Sequence, residues 1–482
     1  MPPDHCRKWM QMHRHIFGGE PLTMLCMPAS HDAGTYRRGY HTTFGTESNV
    51  LTQTRSIFDQ LELGVRYFDI RPHLTSPEPN AGPGNWACGH YTGEAKAALG
   101  WQGANCMEIR EVVDELNRFT QDNAELIFVE ITHIHRIFIN NPISSTERAA
   151  NDDEWNSLLH ELSGIRNLFT LDRAGGPSSL HQQMHHRHLN DFIGNGQAAV
   201  VVLVEDYPAR TENLTDRGFW PIKMQDGHTY RVPLPGSSVT REQAPGQAFF
   251  STIDPLQIFG PHMNGNSVLY LAREAQDEKF PWLLQELAAD GYPSYIWMDR
   301  IQDADLLTFC LATGYHKFNR AKGLKNMVIV YGGFLVTSPD VHNRVRHAID
   351  NAKDFKVTNH DLGVDPWPGM GKSCAAYYEQ DGIVKGKFAR ENQFLNFAFD
   401  VVSIEYGNQR IRDQKVFFNV LKAVSRRDRF RVDNSSMGCD PQPGVRKKCV
   451  VRFRNSNNSN IREDSAQEGK DMDFKTWMER LV

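Results

Sequence analysis

A TIM-type (β/α) barrel of the α/β class, followed by a smaller β-containing module, is the architecture predicted by this 482-residue sequence. Three observations carry that expectation. Apolar runs of four to seven residues recur through the first 300 positions. Stretches with helical spacing lie between several of them, which favours a parallel sheet. Titratable residues follow directly after the runs, at the strand ends where a parallel barrel gathers its chemistry.

In chain order the strand candidates are Leu22 to Met27, Val65 to Ile70, Leu126 to Ile131, Ala198 to Val204, Ser267 to Leu271 and Tyr295 to Met298. Met107 to Phe119 and Phe280 to Ala289 have helical spacing. Strands and helices alternating over about 300 residues favour a closed barrel over an open sheet, placed at residues 15–320. Beyond it, 321–482 reads as a β-rich module. Met327 to Tyr331, Ile383 to Phe388, Phe397 to Tyr406, Val416 to Val424 and Val450 to Phe453 are its strand candidates, and Val341 to Ala352 its helix. Val357 to Cys374 and Asn455 to Asn460 read as loops, Phe474 to Val482 as a short terminal helix, and no internal repeat stands out.

Composition narrows the function classes. A net charge of -5 is small for this length and points to neither nucleic acid nor an anionic membrane as an obligate partner. No run of about 18 apolar residues is present, so no membrane-spanning helix is expected. The N-terminus lacks the continuous apolar core of a secretory leader, which favours the cytoplasm. The eight cysteines are scattered without metal-finger spacing and read as buried thiols, with Cys439 and Cys449 as a hairpin pair if the protein is exported. Short glycosylation patterns at Asn213, Asn434 and Asn457 carry little weight.

Two local motifs carry the chemistry. Pro28-Ala29-Ser30-His31-Asp32-Ala33-Gly34-Thr35-Tyr36 places a His-Asp pair and a glycine on a turn at a strand end. In Gly64-Val65-Arg66-Tyr67-Phe68-Asp69-Ile70-Arg71, strand alternation puts Tyr67, Asp69 and Arg71 on one face and Arg66, Phe68 and Ile70 on the other. Glu130 and His133 end another run, Glu205 and Asp206 a further one, and Asp299 follows Tyr295 to Met298.

These stretches resemble the X-domain of phosphatidylinositol-specific phospholipase C, and more closely its bacterial and fungal metal-independent branch. The resemblance implies a second histidine, matched by His90 in Cys88-Gly89-His90-Tyr91, with His73 as the alternative. It implies His31 as general base, His90 as general acid, and Arg71 as the cation on the phosphoryl oxygens. Asp32 would then orient His90, and Asp299 would orient His31, with Asp69 and Glu130 near the substrate. Calcium-dependent relatives carry an acid where Arg71 stands, so the resemblance implies no metal, calcium being disfavoured by a side-chain cation in its place.

The resemblance implies a phospholipid or other phosphodiester as substrate, a transient membrane surface as partner, and intramolecular attack giving a cyclic phosphodiester. The match departs at two strand ends. Thr132-His133 and Glu205-Asp206 stand where bacterial relatives carry a lysine and an arginine, so the mouth is more acidic than in inositol-specific enzymes. His133 and His135 read as structural. Two rivals remain: a metal-dependent enzyme like glycerophosphodiesterases or sphingomyelinase D, using Asp69 and Glu130, and a catalytically idle protein that binds lipid or a partner.

Overall fold

The computed structural model describes residues 2–76, 84–92, 100–141, 144–176, 186–205, 214–222, 293–380, 382–397, 399–411, 414–455 and 461–475, together with scattered positions in 267–287. Asp206, Asn213, Asn457 and most of the 455–460 and 474–482 segments lie outside the described residues. The chain divides into two compact units, Met1–Glu274 with Asp290–Phe318, and Ala275–Ala289 with Asn319–Val482.

The first unit is built on six parallel strands: β1 (Met27–Ser30), β2 (Tyr67–Ile70), β3 (Leu126–Ile131), β4 (Ala199–Val204), β5 (Phe219–Pro221) and β6 (Tyr295–Met298). Their order is β5-β4-β3-β2-β1-β6. Every pairing is parallel, with Ser30 opposite both Met298 and Phe68, Asp69 opposite Glu130, and Ile131 opposite Val204. All six carboxyl ends therefore lie along one edge. Among the described residues the ladders form an open sheet, not the closed barrel expected.

Buried runs such as Ala199–Val204 are hydrophobic at every position, as a sheet covered on both faces requires. Burying each such Val or Leu contributes roughly 1.5–3 kcal/mol. The helix Ile109–Asp122 buries Ile109, Val112, Val113, Leu116 and Phe119 at helical spacing, and the Glu108 and Glu111 side chains cap its start reciprocally. On the β2 face away from the site, Arg66 is buried and donates to Glu125 Oε2 at 2.8 and 2.9 Å, while Glu125 accepts the Met10 and Gln11 N–H groups.

Three expectations need adjusting here. The first strand starts at Met27, because Leu22–Met24 is a 3-10 turn, so Pro28 to Ser30 lie inside β1 and His31 leaves its end directly. The run at Ser267 is helical at its described positions Val268 and Leu269. A second, five-stranded sheet that the sequence did not announce runs Gln102–Glu108, Trp86–Thr92, Pro72–Ser76, His135–Asn141, Ser144–Ala149, and its second strand carries His90. Gly34 lets the His-Asp turn lie against that strand, since a Cβ there would sit 2.2 Å from Cys88 Sγ.

The C-terminal residues form a tandem duplication, against the expectation of no repeat. Each copy is a four-stranded antiparallel sheet with one helix and a two-stranded annex. In the first copy the sheet runs Phe334–Leu335, Val328–Tyr331, Ser373–Gln380, Ile383–Arg390, and in the second Gln409–Ile411, Phe399–Tyr406, Lys448–Asn455, Ile461–Gln467. The helices are Pro339–Asp350 and Gln414–Arg426. The second overturns the strand expected at Val416 to Val424, whose buried Val416, Val420 and Val424 recur every fourth residue on one helical face.

Sixteen of the 51 positions in 328–378 are identical 75 residues later, enough to align every element of the two copies. The shared contacts match as well. Tyr331 and Tyr406 each donate to an asparagine, Asn359 and Asn434, at 2.8 Å. Lys372 is paired with Asp365 at 3.1 Å and Glu391 at 3.2 Å, and Lys447 with Asp440 at 2.8 Å and Glu468 at 3.2 Å. The copies differ where they meet other structure. Phe388 of the first packs against Phe280, whereas the matching edge strand of the second, Ile461–Gln467, is largely exposed. All eight cysteines are free, Cys439 and Cys449 included.

Candidate functional site

The residues that follow β1, β2 and β6 meet at the carboxyl edge of the sheet, and His90 approaches them from the second sheet. Asp32 adopts φ 42°, a left-handed turn that swings its side chain back under His31. The turn is held by Ala33 N–H on the Asp69 carbonyl and by the Thr35 hydroxyl on the Asp32 carbonyl at 2.7 Å. His31 lies half-buried, with Nδ1 3.0 Å from Asp299 Oδ1. A carboxylate only accepts, so Nδ1 carries the proton and Nε2 faces the mouth.

Arg71 sits at the centre. Its Nε is 2.8 Å from Asp32 Oδ1, its Nη2 is 2.9 Å from Asp69 Oδ2, and Nη2 also donates to His31 Nε2 at 2.8 Å. A guanidinium cannot accept, so His31 Nε2 is unprotonated in this arrangement. Burial pushes the His31 pKa down, but the Asp32 and Asp299 carboxylates outweigh it and raise it to about 9, against a contrary push from Arg71. The geometry holds the form with Nε2 deprotonated and capped by Arg71, whereas the two carboxylates favour a second proton at neutral pH, so the free base that acts grows in as pH rises. Burial raises Asp32, yet Arg71 and the neighbouring imidazoles bring its carboxyl down to about 2.

His90 donates Nδ1–H to the Val50 carbonyl at 3.1 Å, which turns its Nε2 toward the cluster. The Nε2 atoms of His31 and His90 both lie within 4.0 Å of one oxygen, Asp32 Oδ2. His73, the alternative second histidine, is buried, donates to the Arg71 carbonyl, and has its pKa pushed down to about 3 by burial. Its ring lies against those of Tyr91 and His135, at centroid distances of 5.0 and 5.8 Å.

Asp69 is buried and takes part through other side chains, accepting from Arg71 and from the Thr132 hydroxyl at 3.0 Å. Glu130 is buried too, held by the Tyr67 hydroxyl within the sheet. The His31, Asp32 and Asp69 ligand atoms lie within 4.8 Å of one another, a spacing a metal ion can use, but the Arg71 guanidinium is paired into the same space.

Sequence reasoning missed the 50–53 segment, which has no motif. Val50 orients His90, Thr52 donates to the Asp32 carbonyl at 3.1 Å, and Gln53 donates to the His31 and Met298 carbonyls at 2.9 and 3.0 Å. It also missed Trp297, whose ring centroid is 6.2 Å from that of His31. Its place two residues before Asp299 on one strand face was the available signal.

No family model matches the chain. The zebrafish (Danio rerio) PI-PLC X domain-containing protein 3 is 25% identical over 151 residues, covering 27% of this chain and 42% of that protein. Over that stretch the chain is similar to a PI-PLC X domain-containing protein. It spans less than half the length of that curated relative. Among solved structures, a variant of phosphatidylinositol-specific phospholipase C from S. aureus matches with a TM-score of 0.35 and 13% identity, over 62% of this chain and 91% of that one. The Listeria monocytogenes enzyme matches with a TM-score of 0.34 and 17% identity, over 62% and 94%. The X-domain-like motifs themselves are what the fold brings together, since His31, Asp32, Arg71, His90 and Asp299 form one cluster.

Proposed function

We propose that this protein is a phospholipase C-type phosphodiesterase that works with two imidazoles and a guanidinium and without a metal. One observation carries the reading: Arg71 caps the unprotonated Nε2 of His31 at 2.8 Å while His31 Nδ1 is held by Asp299. An anionic phosphodiester draws the guanidinium onto its non-bridging oxygens and uncaps the base.

His31 Nε2 then takes the proton of a headgroup hydroxyl, and that oxygen forms a bond to phosphorus. The bond from phosphorus to the lipid oxygen breaks, and protonated His90 gives its Nε2 proton to the departing oxygen. The products are a cyclic phosphodiester and a neutral lipid alcohol. Asp32 Oδ2 lies 4.0 Å from the His90 Nε2 that gives up the proton, and Asp299 supports His31 once it carries the second proton. Phosphatidylinositol is the first substrate to try, with a membrane surface as the place of encounter.

The metal-dependent rival is disfavoured by the same geometry, because a guanidinium already neutralises Asp32 and Asp69. The mechanism is tested by following phosphorus NMR of the water-soluble product. A transient cyclic phosphodiester, lost in His90→Ala, supports it; direct release of an acyclic monoester without that intermediate contradicts it.

A further inference from the structure

The small net charge of the chain averages over two unequal repeats. Residues 328–398 carry eight Lys or Arg against eight Asp or Glu, whereas 399–475 carry 16 against 11. Since the copies share one fold, the first serves as a neutral reference for the second. Four of the gained charges gather at one end of the second copy. Arg410, Arg446, Lys448 and Lys470 stand where the first copy has Leu335, Gly371, Ser373 and Gln393, the last pair aligned by the matching Glu391 and Glu468.

Backbone bonds hold the segments that bear them together. Gly407 N–H donates to the Lys448 carbonyl at 2.9 Å and Glu468 N–H to the Lys447 carbonyl at 2.7 Å, so the turn at 407–408, the loop 443–446 and the turn at 468–470 meet. Arg446 Nε donates to the Glu468 carbonyl at 3.2 Å. The carboxylates at this end are already committed, Asp440 and Glu468 to the buried Lys447, Glu405 to Arg452 and Asp471 to Arg431. Arg410, Arg446, Lys448 and Lys470 are exposed, and none forms an ion pair among the described residues. Their charge is left to solvent. Val445, between Gly444 and Arg446, is 55% exposed and gives the basic patch an apolar tip.

We propose that this end of the second copy docks on an anionic phospholipid surface, the four cations facing lipid phosphates and Val445 entering the boundary with the acyl chains. Each Lys or Arg near such a surface strengthens binding about fivefold, and burial of an aliphatic side chain at the interface adds to it. A soluble polyanion matches the charge but offers Val445 no apolar phase. The first copy, neutral at the same four positions, does not share the site. The membrane encounter in the phosphodiesterase reading thereby gains a place in the chain, and because docking is measured without turnover the two stand or fall separately.

The test sediments the full chain with vesicles of phosphatidylcholine alone and of phosphatidylcholine mixed with phosphatidylserine. Wild type is expected to bind the mixed vesicles only, and high salt to release it. Arg446→Gly, Lys448→Ser and Lys470→Gln together restore the residues of the first copy. That triple variant is expected to bind about 100-fold more weakly with Tm unchanged. Val445→Ser is expected to weaken vesicle binding about tenfold and to leave affinity for a duplex oligonucleotide as it was. Mixed vesicles bound equally by wild type and triple variant overturn the proposal, and so does a wild type that binds the duplex and ignores the vesicles. If mixed vesicles are bound as expected and no phospholipid is cleaved, the phosphodiesterase reading alone falls.

Discussion

His31 and Asp299 are 268 residues apart in the chain and 3.0 Å apart in the fold, because β1 and β6 lie side by side in one parallel sheet with Ser30 opposite Met298. That pairing fixes which imidazole nitrogen faces the mouth and how strongly it holds a proton.

Replacing Asp299 with asparagine keeps an acceptor for His31 Nδ1 and removes the charge. The base must be unprotonated to act, so the rising limb of the kcat/KM profile follows the His31 pKa. Since the Asp299 carboxylate helps raise that pKa toward 9, Asp299→Asn moves the limb to lower pH. The rate at the plateau falls by about 100-fold through loss of imidazolium support. A pH profile whose acid limb stays in place contradicts the role given to Asp299.

Arg71→Lys keeps the charge and loses the fork that reaches Asp32, Asp69 and His31 at once. The kcat is expected to fall roughly 100- to 1,000-fold with KM changed far less, since the contact strengthens as charge develops on the phosphoryl oxygens. Steady-state kinetics on the substrate that wild type cleaves will show it, and a lysine variant with near-normal kcat speaks against a bidentate arginine.

Much of this site was readable from the residues alone. His31, Asp32, Asp69 and Arg71 stand on two contiguous stretches, and strand alternation correctly placed Asp69 and Arg71 together. Asp299 was found because Tyr295 to Met298 is an apolar strand with a carboxylate at its end. The Val50 to Gln53 support was not readable, because its contacts are made largely through backbone carbonyls that any sequence supplies. The second sheet was hidden for a related reason. Ser144–Ala149 and Gln102–Glu108 show no hydrophobic alternation, and pairing, not propensity, makes them strands. The repeat left a visible signal in Asp365-Pro366, Pro368-Gly369, Lys372 and Cys374 recurring at 440–449, but its identities are scattered.

That duplication makes its own prediction. Lys372 and Lys447 occupy the same position in their copies, each bridging a loop aspartate and a glutamate in the turn just past the edge strand, beside a tyrosine ring. Lys372→Met and Lys447→Met are expected to lower Tm by similar amounts, because each strands two carboxylates and frees the Asp-Pro loop. Thermal melts of the two variants check this, and a large drop in one beside none in the other would show that the copies no longer share a supporting network.

In the proposed reaction His31 supports cleavage without a metal. This is tested most directly by measuring water-soluble phosphorus released from phosphatidylinositol and a panel of other phospholipids in EDTA, with wild type beside His31→Ala. Chelator-resistant release is expected from wild type, falling by about 1,000-fold or more in the variant. Release abolished by EDTA, or release that His31→Ala leaves intact, would contradict it.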